Sequence, residues 1–402
     1  MTASRQSRWS SLLLAGLLGA SAAAADSLGD SFADPRYRIQ GFAAQTLISS
    51  TNNNFFGESR DTVSTDFTEI GLQGFWLPLD ALQLSGQILY RQAGESDQAG
   101  LRLDYAQADW RFYQNDSTQL GVRLGKVKIP YGLYNETRDV PFTRPSILLP
   151  QAIYLDNSRA VLIAAPGAIF HGSTVNAYGG FDATLGWARP DFDSEAVEGV
   201  FLGANRPGKL NGTSAFSTSL RWDAPTDTTF MLTYIDAKAD YEPASADYLA
   251  AGSIRVRNVL ASIQQRFDTV TLTAEYNEPR NSRAGFGAAF PDGVRDSLSY
   301  YLQTEWRFHP EWELVVRNEV NYRDQDDRYG TKLQAATGFP AHLMYMNDWV
   351  VGLRWDVTPS LMLRAEYHHV TGTSGLPGLD NPDIFATEQR WNMGLLQAAY
   401  RF

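Results

Sequence analysis

Apolar and polar side chains alternate with a period of two along much of this chain. Leu82, Leu84, Ile88 and Tyr90 alternate with Gln83, Ser85, Gln87 and Arg91, with Leu89 breaking the polar set. Leu298, Tyr300, Leu302, Trp306 and Phe308 alternate with Ser299, Gln303, Glu305 and Arg307. Trp312, Leu314, Val316, Val320 and Tyr322 alternate with Glu313, Arg317, Glu319, Asn321 and Arg323. Trp349, Val351, Leu353, Trp355 and Val357 alternate with Gly352, Arg354 and Asp356. Successive strand residues point to opposite faces, so each segment reads as a strand with one apolar and one polar face. No run with the 3.6-residue period of a helix stands out.

A second pattern marks where strands end. Arg followed by an aromatic residue precedes a polar turn or the chain end at Arg111-Phe112, Arg221-Trp222, Arg266-Phe267, Arg307-Phe308, Arg354-Trp355 and Arg401-Phe402, and Trp76 holds a similar place. Short turns are expected near residues 78, 115, 181, 225, 269, 310 and 359, where Pro, Asp and Ser supply turn chemistry. Between them lie longer polar segments at 49–65, 92–100, 126–166, 189–213, 237–253, 277–296, 324–347 and 371–389. Seven short turns join fourteen strands, and a first strand near 37–48 and a last at 390–402 bring the count to sixteen.

Composition decides which face of these strands is wet only in part. Mean hydropathy is −0.29, a value that hides a barrel in which every second residue faces lipid. The 10 Trp, 19 Tyr and 21 Phe suit two aromatic girdles at membrane interfaces. Arg5 and Arg8, the apolar run at 11–20 and the small residues at 21–25 follow the order of a secretory signal peptide, so residues 1–25 are expected to be removed. The run is too short to span a bilayer. No Cys is present, which excludes thiol catalysis, Cys-type zinc sites and iron–sulfur clusters. The net charge of −11 argues against a nucleic-acid partner.

Residues 26–402 are therefore expected to form an all-β fold: one closed, antiparallel transmembrane β-barrel of about sixteen strands. Sixteen strands enclose a lumen too wide to fill with wall side chains, expected to be lined by Gln83, Gln87, Arg91, Arg307, Glu319, Arg323, Arg354 and Glu366. The last segment places Leu396, Ala398, Tyr400 and Phe402 on one face. Tyr400 and the terminal Phe402 resemble the assembly signal of Gram-negative outer-membrane proteins. That resemblance and the architecture imply the porin superfamily: a channel for passive diffusion of small hydrophilic solutes, with short periplasmic turns, long extracellular loops and a homotrimeric assembly. Its expected partners are outer-membrane lipid, lipopolysaccharide and the barrel-assembly machinery.

The third long segment, 126–166, is the most unusual, carrying Pro130, Pro141, Pro145 and Pro150. A structureless connection of this length is uncommon unless functional. In general porins the third loop folds into the lumen, which implies the same role here. Residues 125–133, GKVKIPYGL, also resemble the corresponding place in phosphate-selective and related anion porins. Lys126, Lys128, Arg138, Arg144 and Arg159 then form a basic side of the constriction, and Glu136, Asp139 and Asp156 an acidic one, with a weak anion preference. The other reading is that these charges pair and tack the loop to the wall. Tyr131, Tyr134, Phe142 and Tyr154 likewise allow a stacking slide for sugars or aromatic acids, or simple packing.

Besides a soluble periplasmic β-protein, which would extract without detergent, two alternatives remain. One is a substrate-specific channel for an anion, a sugar or a siderophore. The other is an outer-membrane hydrolase, against which stand the missing G-x-S-x-G and H-E-x-x-H signatures. Asp324-Gln325-Asp326-Asp327 lacks the Gly and Glu spacing of an EF-hand calcium loop. No cofactor, metal or catalytic residue is expected.

Overall fold

The computed structural model describes residues 36–402 apart from 204–205, 246 and 289, so the expected signal peptide lies outside the described residues. One antiparallel sheet runs through β1 (Tyr37–Ser50), β2 (Ser64–Leu79), β3 (Leu82–Ala93), β4 (Asp97–Gln114), β5 (Thr118–Lys128), β6 (Ala164–Asn176), β7 (Gly179–Ala188) and β8 (Lys209–Asp223). It continues through β9 (Thr228–Glu242), β10 (Gly252–Arg266), β11 (Val270–Ala284), β12 (Gly293–Asp296), β13 (Leu298–His309), β14 (Trp312–Tyr322), β15 (Tyr345–Asp356), β16 (Leu361–Gly372) and β17 (Arg390–Arg401). Apart from β12 and β13, which do not pair with each other, each strand pairs with its sequence neighbours, and β17 pairs with β1 from Arg401↔Phe42 to Met393↔Ser50, so the barrel closes. Closure leaves no unpaired edge, which a sheet in lipid requires.

Both β12 and β13 pair with β11, so the seventeen strands make sixteen staves, as expected. The break between them falls at Ser297, whose N–H donates to the Pro279 carbonyl at 2.8 Å. Pro279 has no N–H to return the bond, and the ladder lapses there.

Side-chain parity follows the predicted alternation. Leu302 is 63% exposed on the outer face, whereas its neighbour Gln303 is 3% exposed and points inward. Leu72, Ile88, Leu124, Leu185, Leu232, Leu272, Val351 and Leu396 extend the exposed apolar band around the barrel. The aromatics before the short turns form a rim: Trp76, Phe112, Trp222, Phe267, Phe308 and Phe402 are all exposed. Trp222 stacks between Phe181 (6.1 Å) and Phe230 (5.3 Å), and Trp312 on Trp355 (5.1 Å). Among the described residues no helix is long and apolar enough to cross a membrane. The strands do the crossing.

Several connections differ from expectation. The segment 92–100 is not a long loop, since β3 and β4 extend to leave only residues 94–96 between them. Polarity misleads there because strand ends projecting past the membrane are solvated. The turn expected near 181 lies at 177–178, followed by Gly179 with φ 115°, a conformation glycine adopts freely. The loops expected at 237–253 and 277–296 shrink to 243–251 and 285–292, because β9, β11 and the short β12 continue into them.

A glycine sits at the seam. Gly41 and Phe402 exchange backbone hydrogen bonds of 2.9 and 3.0 Å. The Phe402 ring lies over Gly41, where a Cβ would come within 2.3 Å of it.

Candidate functional site: the third loop inside the lumen

Residues 129–163 leave β5, fold into the barrel and return to β6, with a short helix α1 (Arg159–Leu162) near the end. The segment is mostly irregular yet mostly buried, so its backbone polar groups need partners that secondary structure does not supply. Its four prolines remove four donors. The barrel wall supplies much of the rest with ionisable side chains.

At the near limb, Glu275 of β11 accepts from Leu133 N (3.0 Å) and Tyr154 OH (2.6 Å) of the loop. It also accepts from Ser262 Oγ (2.5 Å) and Tyr301 OH (2.8 Å) of the wall. Tyr131 takes hydrogen bonds from the amides of Asn258 (3.0 Å) and Asn277 (3.1 Å). Tyr131 and Tyr134 meet Tyr154 edge-on at 6.0 and 5.8 Å. All three rings are at least nine-tenths buried, so they pack the loop. They do not form an open stacking slide.

Across the barrel, Arg364 of β16 donates to the carbonyls of Ser146 (3.0 Å) and Arg144 (2.5 Å). Arg317 of β14 donates to Ser146 Oγ (2.8 Å) and the Leu148 carbonyl (3.2 Å). Glu366 accepts from Ile147 N (2.5 Å), and Glu319 from Ala152 N (2.8 Å). His368 lies between Glu366 (2.9 Å) and Asp348 (2.7 Å), completing a buried polar cluster behind the loop.

The third anchor is a cluster of ion pairs against β2–β4. Arg144 holds Glu69 through two hydrogen bonds, 3.2 and 2.6 Å. Arg159 bonds Asp104 (2.9 Å) and Asp139 (2.5 Å), while Lys128 lies 3.2 Å from Asp139. Arg91 reaches Asp156 (2.8 Å), Glu69 (3.5 Å) and, in a close contact, Asp97, which Arg102 also binds. Burial pushes the Asp139 carboxyl up, but Arg159 and Lys128 outweigh it and hold it well below the usual carboxylate range.

The predicted constriction residues thus separate into groups. Lys128, Arg138, Asp139, Arg144 and Arg159 come together as buried tethers, the second of the two readings their charges allowed. Glu136 is exposed and pairs with Arg123 at 3.2 Å. Lys126 does not join them, because its ammonium bonds the Leu103 carbonyl (2.8 Å) in an exposed contact. The wall adds Glu69, Asp97 and Asp104, acids that sequence reasoning missed. Arg91, Arg102, Lys128, Arg138, Arg144 and Arg159 then face Glu69, Asp97, Asp104, Asp139 and Asp156 in a nearly balanced cluster. The excess of base over acid expected from the loop alone is largely cancelled.

The predicted wall residues divide similarly. Arg91, Glu319 and Glu366 are under 5% exposed beneath the loop and line no open water. Arg307, Arg323 and Arg354 are half-buried, and Arg307 pairs with Glu313 (2.8 Å) and Asp356 (3.1 Å). Loop positions left facing open space are Glu136, Thr137 and Thr143. Glu275, Arg317 and Arg364 were not singled out as anchors, since alternation gives a residue's face and not what crosses the lumen to meet it. Among the described residues no group of His and acids has metal-binding geometry.

Known structures share this architecture. The anion-selective porin from Comamonas acidovorans is similar over 91% of this chain and 100% of its own, at TM-score 0.56 and 13% identity. Salmonella typhi OmpF is similar over 91% and 97%, at TM-score 0.56 and 12% identity. The trimer form of OmpT, an outer membrane protein of Vibrio cholerae, is similar over 91% and 99%, at TM-score 0.54 and 10% identity. No protein-family model matches the sequence, and no curated protein sequence does either. The chain has the porin fold, the sixteen-stave form of bacterial outer-membrane barrel.

Proposed function

We propose that the protein is an outer-membrane porin, a water-filled channel for passive diffusion of small hydrophilic solutes past the third loop. One observation carries this reading. A charged, proline-rich loop is held inside a membrane barrel by three separate wall anchors, so the lumen is narrowed by a fixed element. Fixed narrowing sets a size limit, and the near balance of charge around it leaves at most a weak anion preference. A substrate-specific channel would need an unpaired row of bases or aromatics, and the loop's buried arginines and tyrosines are engaged with partners. A hydrolase would need a serine paired with histidine. Side-chain hydrogen bonds of histidine among the described residues run to Asp109, the Glu311 N–H, Thr387, Asp348, Glu366 and Asn392.

This reading includes export by the leader, contact with outer-membrane lipid and lipopolysaccharide, recognition of Tyr400 and Phe402 by the barrel-assembly machinery, and a homotrimer. Two outer-face features support the trimer. Gln45 and Thr68 bond each other there at 2.7 Å, a polar pair that suits protein contact better than lipid. Beside them a shallow groove, lined by Leu47, Ser49, Leu353, Ala365, Gly394 and Leu396, is apolar and rich in small residues.

The test is a planar bilayer. Detergent-purified protein should insert with stable, stepwise conductance and a reversal potential near zero in a salt gradient. Correctly folded barrels without conductance would overturn the diffusion channel, and a large reversal potential would overturn the charge balance.

A further inference from the structure

A cavity of about 180 Å³ lies inside the barrel between the third loop, the fourth-loop helix α2 (Glu195–Leu202) and the wall of β8–β10. Its composition is unlike the charged wall across the lumen. The inward positions here are Ala215, Ile235, Ala237 and Val256, where β14 and β16 present Arg317, Glu319, Arg364 and Glu366. Tyr131, Phe192 and Phe201 supply aromatic walls, and no lining residue is charged.

One lining group lacks its partner. Asn258 is 8% exposed, its amide N–H donates to Tyr131 OH at 3.0 Å, and its Oδ1 has no hydrogen-bond partner. A buried carbonyl without a donor is left unsatisfied, so a ligand that brings a donor gains what the apo protein forgoes. Phe201 and Asn281 are half-buried, which puts an edge of the cavity within reach of solvent.

We propose that this cavity binds a neutral, single-ring aromatic molecule carrying one hydrogen-bond donor, with phenol as the simplest member of the class. Size fits, because an apolar cavity of about 150 Å³ is known to accept benzene. The walls favour ring contacts, the Asn258 oxygen takes the donor, and the absence of lining charge excludes anions, whose desolvation nothing repays. The site does not depend on the channel reading, since it tests binding to the folded barrel and not current through it.

The experiment is isothermal titration of phenol, benzene and benzoate into the full mature barrel in detergent, with detergent alone subtracted. The expected result is saturable phenol binding at one per chain, benzene several-fold weaker, and no benzoate binding. Ala237→Phe fills the cavity and should abolish phenol binding while the barrel keeps its heat-modifiable migration. Should that variant fail to fold, Ala215→Leu serves the same purpose, and the three-ligand order in the unmodified protein stands alone. Absent saturable phenol binding, phenol binding undiminished in a folded filled variant, or benzoate binding as well as phenol would each overturn the proposal.

Discussion

Removing the Arg317 guanidinium should release the third loop without unfolding the barrel. Arg317 is 0% exposed and bonds Glu319 (3.2 Å), Gln303 (3.2 Å), Ser146 Oγ and the Leu148 carbonyl, with Glu366 at 3.9 Å. Arg317→Met keeps most of the apolar stem and deletes the charge. It leaves Glu319 buried without its ion-pair partner, a loss of about 3–5 kcal/mol when one partner of a buried pair is removed. Ser146 Oγ loses its donor as well, while the Leu148 carbonyl keeps the hydrogen bond from the Ser146 hydroxyl at 2.5 Å. The barrel's own pairing, sixteen staves closed by β1–β17, does not pass through this side chain. The cost therefore falls on loop docking, and each 1.4 kcal/mol is a factor of ten in that equilibrium. The undocked fraction should rise roughly a hundredfold to a few thousandfold. Trypsin reports it directly, because Arg138 and Arg159, each followed by a residue other than proline, are 6% exposed or less while the loop is docked. The variant should be cut in the loop at a rate raised by about that factor, in a barrel that still resists unfolding in mild detergent. Equal cleavage rates in variant and parent would refute the view that this arginine anchors the loop.

Four further outcomes follow from the geometry. Gly167→Val should sharply lower the yield of closed barrels in refolding assays, since its Cβ would come within 2.2 Å of the Trp187 carbonyl oxygen, whereas Gly394→Ala should fold normally because nothing lies within 4 Å of its added carbon. Gly394→Trp should fold and run as a monomer in native electrophoresis where the parent runs as a trimer, and a trimeric variant would remove that face from the interface. Lys126→Gln should leave conductance and reversal potential unchanged, as its ammonium bonds Leu103 outside the buried cluster; a shifted reversal potential would return it to the constriction. The depressed Asp139 carboxyl contributes stability that is complete above the ordinary carboxylate pKa of about 3.9 and is lost only as pH falls well below it. No transition between pH 7 and pH 4 should therefore belong to Asp139, and one in that range that vanishes in Asp139→Asn would contradict the pairing.

The barrel was legible in the sequence because each stave carries its own signal. Leu302 and Gln303 differ in hydropathy, and the pleat sends them to opposite sides whatever lies beyond. The Arg-aromatic repeats located the short-turn rim for the same local reason. Loop partners were not legible, because Arg144 and Glu69 are joined across 75 residues by the shape of the lumen. Lys126 shows the local limit. It and Lys128 are two apart and read as one face, but Gly125 has φ 126° and β4 carries an irregularity opposite Gln87/Ile88, so the regular parity does not hold there. The apolar patch at Ala215, Ile235, Ala237 and Val256 was hidden for a related reason: an inward alanine or valine reads as part of a lipid face until the register is known.

The most direct measurement uses the absence of native cysteine. Thr143→Cys puts one thiol on an exposed position of the loop, and single-channel current in a planar bilayer is recorded before and after a bulky methanethiosulfonate reagent. If the third loop borders the conducting path, the current falls in discrete steps as each thiol is modified. Current unchanged after complete modification, verified by mass, would contradict the claim that solutes pass beside this loop.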